Sequence, residues 1–295
     1  MPVEPARTVE IVEVGPRDGL QNESRIVPTA AKIAFIDALT HAGLRSIEAT
    51  SFVNPKAVPQ LADAVDVMRG IERRPGVRYS ALVPNERGLD RALEAGVDAI
   101  AVFTAATDAF CQANIRCTID ESFDRFEPVV HRAKAAGVWI RGYVSVAFDC
   151  PYSGRVRPEA ALAVADRLFH LGCDEVSIAD TIGTATPDDV TALLTKARAT
   201  LPFARTALHF HDTTGQAIDN VSLALDHGVT IFDSSAGGLG GCPFAPGAPG
   251  NLSTERLLAF LEDRGIETGI DRAAVDRAAT AVQAAMQEPH GRASA

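Results

Sequence analysis

The chain runs to 295 residues, 46% of them hydrophobic, with a mean hydropathy of +0.06, the profile of a soluble globular protein with a large core. A formal net charge of −10 and a pI of about 5.2, with no basic block, exclude nucleic acid and acidic membrane surfaces as natural partners. No apolar run approaches the roughly 18 residues of a membrane span, and the N-terminal MPVEPARTVEIVEV lacks the basic start and apolar core of a signal peptide, so the cytoplasm is the expected compartment.

Eight short segments rich in β-branched residues follow along the chain: VEIVEV (9–14), SIEA (46–49), RYSALV (78–83), DAIAVF (98–103), WIRGYVSV (139–146), EVSIA (175–179), TALHFH (206–211) and TIFDSS (230–235). Between them lie stretches with helical spacing, such as residues 28–44 and 158–173. Several of these end in a glycine (HAGL, EAGV, KAAGV, HLGC, DHGV), a helix C-cap signal with the next apolar run close behind. Helix, glycine and strand in repetition predict βαβ units and a parallel sheet. Eight such units in about 250 residues match an α/β fold of the (β/α)8 TIM-barrel type. The competing architecture is an open doubly wound sheet. The loop after the first strand, GPRDGLQNESRIVP, carries no Gly-x-Gly-x-x-Gly, which favours the barrel. The expected organisation is a single catalytic domain over residues 1–270, with a C-terminal helix and a disordered tail in 271–295.

In a barrel, residues at the C-terminal ends of the strands share one rim, where chemistry belongs. The first strand is followed by Arg17, Asp18 and Gln21, and the second ends at Glu48, with Ser51 beyond. The fifth carries Arg141 and Tyr143, the sixth ends at Asp180, and the seventh ends in HFHDTTG with His209 and His211. After the eighth comes the glycine-rich AGGLGGCPFAPGAPGN, which brings Cys242 and Asn251. Each residue also has a bland reading: Asp as a turn former, Asn251 as a helix cap, Glu48 as an ion-pair partner. The histidine pair resists it, because imidazoles at i and i+2 of a strand share a face and two inward ones need partners. Two imidazole nitrogens with oxygens from Asp18 and Asn251, and no thiolate, favour a hard divalent cation, Mg²⁺ or Mn²⁺, over zinc. The glycine loop reads equally as a phosphate cradle or as a mobile lid carrying a proton donor, Cys242. The cysteines, five in number and without a Cys-x-x-Cys pair, argue against a disulfide framework and a structural zinc site.

From about Val9 to Gly269 the chain resembles the hydroxymethylglutaryl-CoA lyases, members of a metal-dependent lyase and synthase superfamily built on a (β/α)8 barrel. The motifs that carry the resemblance are VEVGPRDGLQNE, IEATSFVNPKAVPQ, VRGYVSVAFDCPYSG, DTIGTATP, HFHDTTGQAIDN and GGLGGCPFAPGAPGNLSTE. It implies that Asp18, His209, His211 and Asn251 ligate the divalent cation. It implies further that Arg17 contacts substrate and stabilises the thioester enolate, that Cys242 and Glu48 act in catalysis, and that Asp180 and Arg141 are functional, Arg141 with Gln21 at the substrate. The sequence departs from the family pattern at Ala236–Leu239, Phe244, Asp149 and Ser153, none of them a ligand.

The implied reaction cleaves (S)-3-hydroxy-3-methylglutaryl-CoA to acetoacetate and acetyl-CoA, as in leucine degradation and ketone-body chemistry. The proton acceptor is His209 or Asp18, with Glu48 and Asp180 tuning the site, and Cys242 protonates the enolate. The alternatives are a lyase for a longer 3-hydroxy-3-alkylglutaryl-CoA, an acetyl-CoA-dependent condensing synthase of the same superfamily, and a barrel that has lost catalysis. Chain length and Cys242 favour the lyase over the synthase, and the intact ligand set argues against the inert barrel. A homodimer is expected by resemblance.

Overall fold

Glycine caps and β-branched runs build eight parallel strands that close on themselves. A computed structural model describes residues 8–240 and 250–287. The barrel strands are β1 (Glu10–Glu13), β2 (Ser46–Ser51), β3 (Arg78–Leu82), β4 (Ala99–Ala105), β5 (Trp139–Ser145), β8 (Glu175–Asp180), β9 (Thr206–Phe210) and β10 (Ile231–Ser234). They pair in chain order, and β10 pairs with β1 to complete the circle, which rules out the open sheet. A small antiparallel hairpin, β6 (Asp149–Cys150) and β7 (Gly154–Arg155), interrupts the alternation after β5.

The helices around the barrel are α1 (Thr29–His41), α2 (Ala64–Gly70), α3 (Glu86–Glu94), α4 (Asp108–Ile115), α5 (Ile119–Ala135), α6 (Pro158–Leu171), α7 (Pro187–Ala197), α8 (Ala217–His227) and α9 (Thr254–Asp263). The five glycines read as helix stops, Gly43, Gly96, Gly137, Gly172 and Gly228, all have positive φ, between +72° and +120°. A side chain disfavours that conformation, so the glycine ends the helix and frees the chain to turn into the next strand.

Strand alternation sorts the core into two parts. Outward residues such as Ile11, Ile47, Ile100, Val144, Ile178, Leu208 and Phe232 join the main core between barrel and helices. Inside the barrel, small apolar clusters (Val12, Val14, Ala207 and Ile231; Leu82, Ala101 and Tyr143) surround buried polar side chains that include Glu48, Arg141, Glu175 and Asp233.

One strand boundary differs from the sequence reading. β2 continues to Ser51, because pairing with β3 resumes after a register shift between Glu48 and Thr50, so Glu48 lies inside the strand and not at its end. A final helix, α10 (Arg272–Gln287), buries Val275, Ala278, Ala279 and Val282 in the main core. The expected tail, 288–295, lies outside the described residues.

Candidate metal and substrate site

At the C-terminal end of β1 the backbone tightens into one π-helical turn, Gly15–Gly19, in which the N–H groups of Arg17, Asp18 and Gly19 all donate to the carbonyl of Val14. This turn aims Arg17 and Asp18 over the barrel mouth. Arg17 Nε donates to Glu48 Oε2 at 2.7 Å, Nη2 stands 2.6 Å from the same oxygen, and Nη1 donates to Asp18 Oδ1 at 2.7 Å. The guanidinium also lies 5.7 Å from the centre of the Tyr143 ring. A cation held from three sides has little rotamer freedom left to lose when it meets a substrate charge.

β9 delivers the histidine pair. Their rings are 5.2 Å apart, and one ligand atom each from Asp18, His209 and His211 fall within 4.8 Å of one another. Asn251 arrives from the far side of the glycine-rich loop, its Nδ2 donating to Asp18 Oδ2 and to the Leu239 carbonyl, both at 3.0 Å. The approach requires glycine at position 240, where a Cβ would stand 2.7 Å from Asn251 Nδ2 and 3.0 Å from Gly19 Cα. His209 Nδ1 lies 3.3 Å from Asp233 Oδ2, which leaves one nitrogen for the cavity.

The electrostatics fit a cation. Burial would push the Asp18 carboxyl up, but Arg17 and the two imidazoles outweigh it and hold it down at about 2. Burial, and then His209, pull His211 down to about 4, so its ring is neutral as a ligand must be. For His209 burial acts in the same direction, but the hydrogen bond to Asp233 prevails and raises it. Two buried atoms of this quartet, His211 Nδ1 and Asn251 Oδ1, have no hydrogen-bond partner among the described residues. Such orphans cost about 1–3 kcal/mol each, and a divalent cation held by Asp18, His209, His211 and Asn251 would use both. The donor set of two nitrogens and oxygens, without sulfur, suits Mg²⁺ or Mn²⁺.

Beside this quartet opens a cavity of about 690 Å³. Arg17, Asp18, Gln21, Tyr143, His209 and His211 are among its polar lining residues, and Phe103, Phe110 and Ile115 among its apolar ones. Gln21 also donates to Asp18 Oδ1 at 3.0 Å.

Three residues expected in the site, Glu48, Arg141 and Asp180, stand away from the cavity lining. Glu48 is fully buried beneath Arg17, its carboxyl raised by burial against the pull of that guanidinium. Arg141, expected at the substrate, lies inside the barrel: its guanidinium meets Asp233 Oδ1 at 2.6 Å, Glu175 Oε1 at 2.7 Å and the Tyr143 hydroxyl at 2.9 Å. Asp180 turns away from the mouth. Its carboxylate accepts the N–H groups of Gly183, Thr184 and Ala185 at 3.0–3.2 Å, the turn-forming role, while burial pushes it up to about 6. Ser51 hydrogen-bonds the Leu82 carbonyl, and Cys242 lies outside the described residues.

The residue that sequence reasoning missed is Asp233. The signal was present as a lone carboxylate in the apolar run TIFDSS, and its meaning comes from register, which sets Asp233 beside His209 on the neighbouring strand.

A family model described as HMGL-like matches residues 8–282. The chain belongs to the HMGL-like family. Among its relatives, the mitochondrial hydroxymethylglutaryl-CoA lyase of Rattus norvegicus is 51% identical, over 90% of this chain and 82% of the relative. The cytoplasmic 3-hydroxy-3-methylglutaryl-CoA lyase of Danio rerio is 53% identical, over 89% of this chain and 78% of the relative. The crystal structure of the HMG-CoA lyase from Brucella melitensis superposes with a TM-score of 0.94 at 53% identity, covering 96% of this chain and all of that one. The family's (β/α)8 barrel is thus the fold of this chain, and the quartet with its cavity occupies the barrel's C-terminal mouth.

Proposed function

We infer that this HMGL-like chain is a carbon–carbon lyase that cleaves (S)-3-hydroxy-3-methylglutaryl-CoA into acetoacetate and acetyl-CoA. The observation that carries the reading is the convergence of Asp18, His209, His211 and Asn251 near the clamped Arg17 at the edge of one cavity, in a chain about half identical to such lyases.

A divalent cation held by the quartet would polarise the tertiary hydroxyl and lower its pKa. The residues do the rest. The hydroxyl proton leaves as the C2–C3 bond breaks, and the bonding pair passes to C2 as the enolate of the acetyl thioester. The hydroxyl proton passes to Asp18 or His209, two proton-accepting groups on the cavity wall; against burial, Arg17 holds the Asp18 carboxyl low, whereas the Asp233 hydrogen bond raises His209. Arg17, held cationic by Glu48 and Asp18, faces the charge that grows on the thioester oxygen. Cys242 is the proposed donor that returns a proton to C2. Glu48, Arg141 and Asp180 act in this account by orienting Arg17, Asp233 and the turn after β8.

The cation is proposed as Mg²⁺ or Mn²⁺, the assembly as a homodimer, the compartment as the cytoplasm and the setting as leucine catabolism; the two curated relatives are named for different compartments. No helix among the described residues is long and apolar enough to cross a membrane. The test is acetoacetate release from hydroxymethylglutaryl-CoA by the purified protein after EDTA treatment and after addition of Mg²⁺ or Mn²⁺. Turnover lost on chelation and restored by either ion supports the reading; turnover indifferent to both contradicts it.

A further inference from the structure

Glu13, the last residue of β1, is completely buried, and the chemistry above makes no use of it. Its neighbours Val12 and Val14 belong to the cluster inside the barrel, so alternation sends Glu13 outward, into the layer between strands and helices. Ile11, two residues earlier on the same face, packs there as an ordinary core residue. Glu13 instead carries a carboxyl that burial pushes up to about 7, against three hydrogen bonds and with Glu255 as the neighbouring charge.

The three donors come from three different segments. Gly15 N, which begins the turn bearing Arg17 and Asp18, donates to Oε1 at 2.8 Å. Ala236 N, at the entry to the glycine-rich stretch, donates to the same oxygen at 2.9 Å. Thr254 Oγ1, at the start of α9 and three residues past Asn251, donates to Oε2 at 2.7 Å. The fit is close: a Cβ on residue 15 would stand 2.6 Å from Glu13 Oε1, which accounts for glycine there.

We propose that Glu13 is a positioning residue that fixes the Asp18 turn against the segment bearing Asn251, so that these two cation ligands meet in register although 233 positions apart. Asp18 and Asn251 do not lie on strands paired with each other: Asp18 sits in the turn after β1 and Asn251 is bridged to His211 beyond β9, so their mutual placement depends on what joins these segments. Backbone bonds from Ser235 N to the Leu252 carbonyl and from Thr254 N to the Ser235 carbonyl join the entry and exit of the glycine-rich stretch. The Glu13 carboxylate is bonded at once to the Asp18 turn, to that entry and to that exit. A buried carboxylate is an expensive way to fill space, and the chain uses one where three segments must be set in a defined geometry.

The inference rests on the reading that the quartet binds a divalent cation, and the experiment separates the two. Mn²⁺ is titrated calorimetrically into metal-free wild type, Glu13→Ala, Glu13→Gln and Thr254→Val, well below the unfolding temperature of each and with circular dichroism to verify the fold. The expected result is Mn²⁺ binding by wild type, weakened about tenfold or more in Glu13→Ala. Glu13→Gln should restore most of it, since an amide oxygen still accepts from Gly15 and Ala236 while its NH₂ donates to the Thr254 hydroxyl. Thr254→Val, which removes one bond and keeps the carboxylate, should weaken binding less than Glu13→Ala, and it stands in if the alanine variant does not fold. A residue that merely stabilised the fold would lower the melting temperature and leave Mn²⁺ affinity unchanged. Folded Glu13 and Thr254 variants that bind Mn²⁺ as wild type does overturn the proposal alone, whereas a wild type that binds no Mn²⁺ overturns the cation reading and this proposal with it.

Discussion

Asp233 and Asp180 are both buried carboxylates on barrel strands, and their different surroundings give them different work. Asp180 spends its oxygens on the three backbone N–H groups of its own turn. Asp233 divides its oxygens between Arg141 on one side and Ser177 with His209 on the other. Burial would raise its carboxyl, but Arg141 and His209 prevail and keep it ionised, so it holds the proton on His209 Nδ1 and aims the other nitrogen at the cavity. Asp233→Asn should therefore weaken Mn²⁺ binding by about 10- to 100-fold, read by calorimetry on the metal-free protein. Binding at wild-type strength would remove the orienting role. Sequence inspection found Asp180 because it follows a strand, and passed over Asp233 because a carboxylate inside an apolar run declares nothing until its neighbour across the sheet is known.

At the scale of elements, the eight barrel strands and their glycine stops were legible in the sequence. Short β-branched runs separated by amphipathic stretches have few other solutions. What escaped was smaller or depended on pairing. The two-residue strands β6 and β7 have no periodicity to read, and the register shift that places Glu48 inside β2 is set by β3. The glycine stops yield a stability prediction. Gly137 follows α5 with φ +74° and nothing within 4 Å of where a Cβ would stand, so Gly137→Ala adds conformational cost without a clash. The loss should be about 1 kcal/mol, measured as a lower urea midpoint with an unchanged slope. An unchanged midpoint would mean that the turn takes another backbone form in solution.

Over the whole molecule, the closed barrel converts distance along the chain into proximity at one mouth. Arg17, Asp18, Gln21, His209, His211 and Asn251 were legible as candidates because they follow strands, and all six converge at that mouth. Arg141 and Glu48 lie one layer deeper, where they hold Asp233 and Arg17 in place. Sequence spacing does not report depth along a barrel axis, which is why they read as residues of the site itself. The central claim is that this mouth breaks one carbon–carbon bond while Arg17 bears the charge of the enolate. The most direct measurement follows acetoacetate, acetyl-CoA and free CoA together as hydroxymethylglutaryl-CoA is consumed, in wild type and in Arg17→Lys, with saturating Mg²⁺. Wild type should yield acetoacetate and acetyl-CoA in equal amounts with no free CoA, and Arg17→Lys should do so roughly 10²- to 10³-fold more slowly. Free CoA without acetoacetate, or an Arg17→Lys rate near that of wild type, would contradict the account.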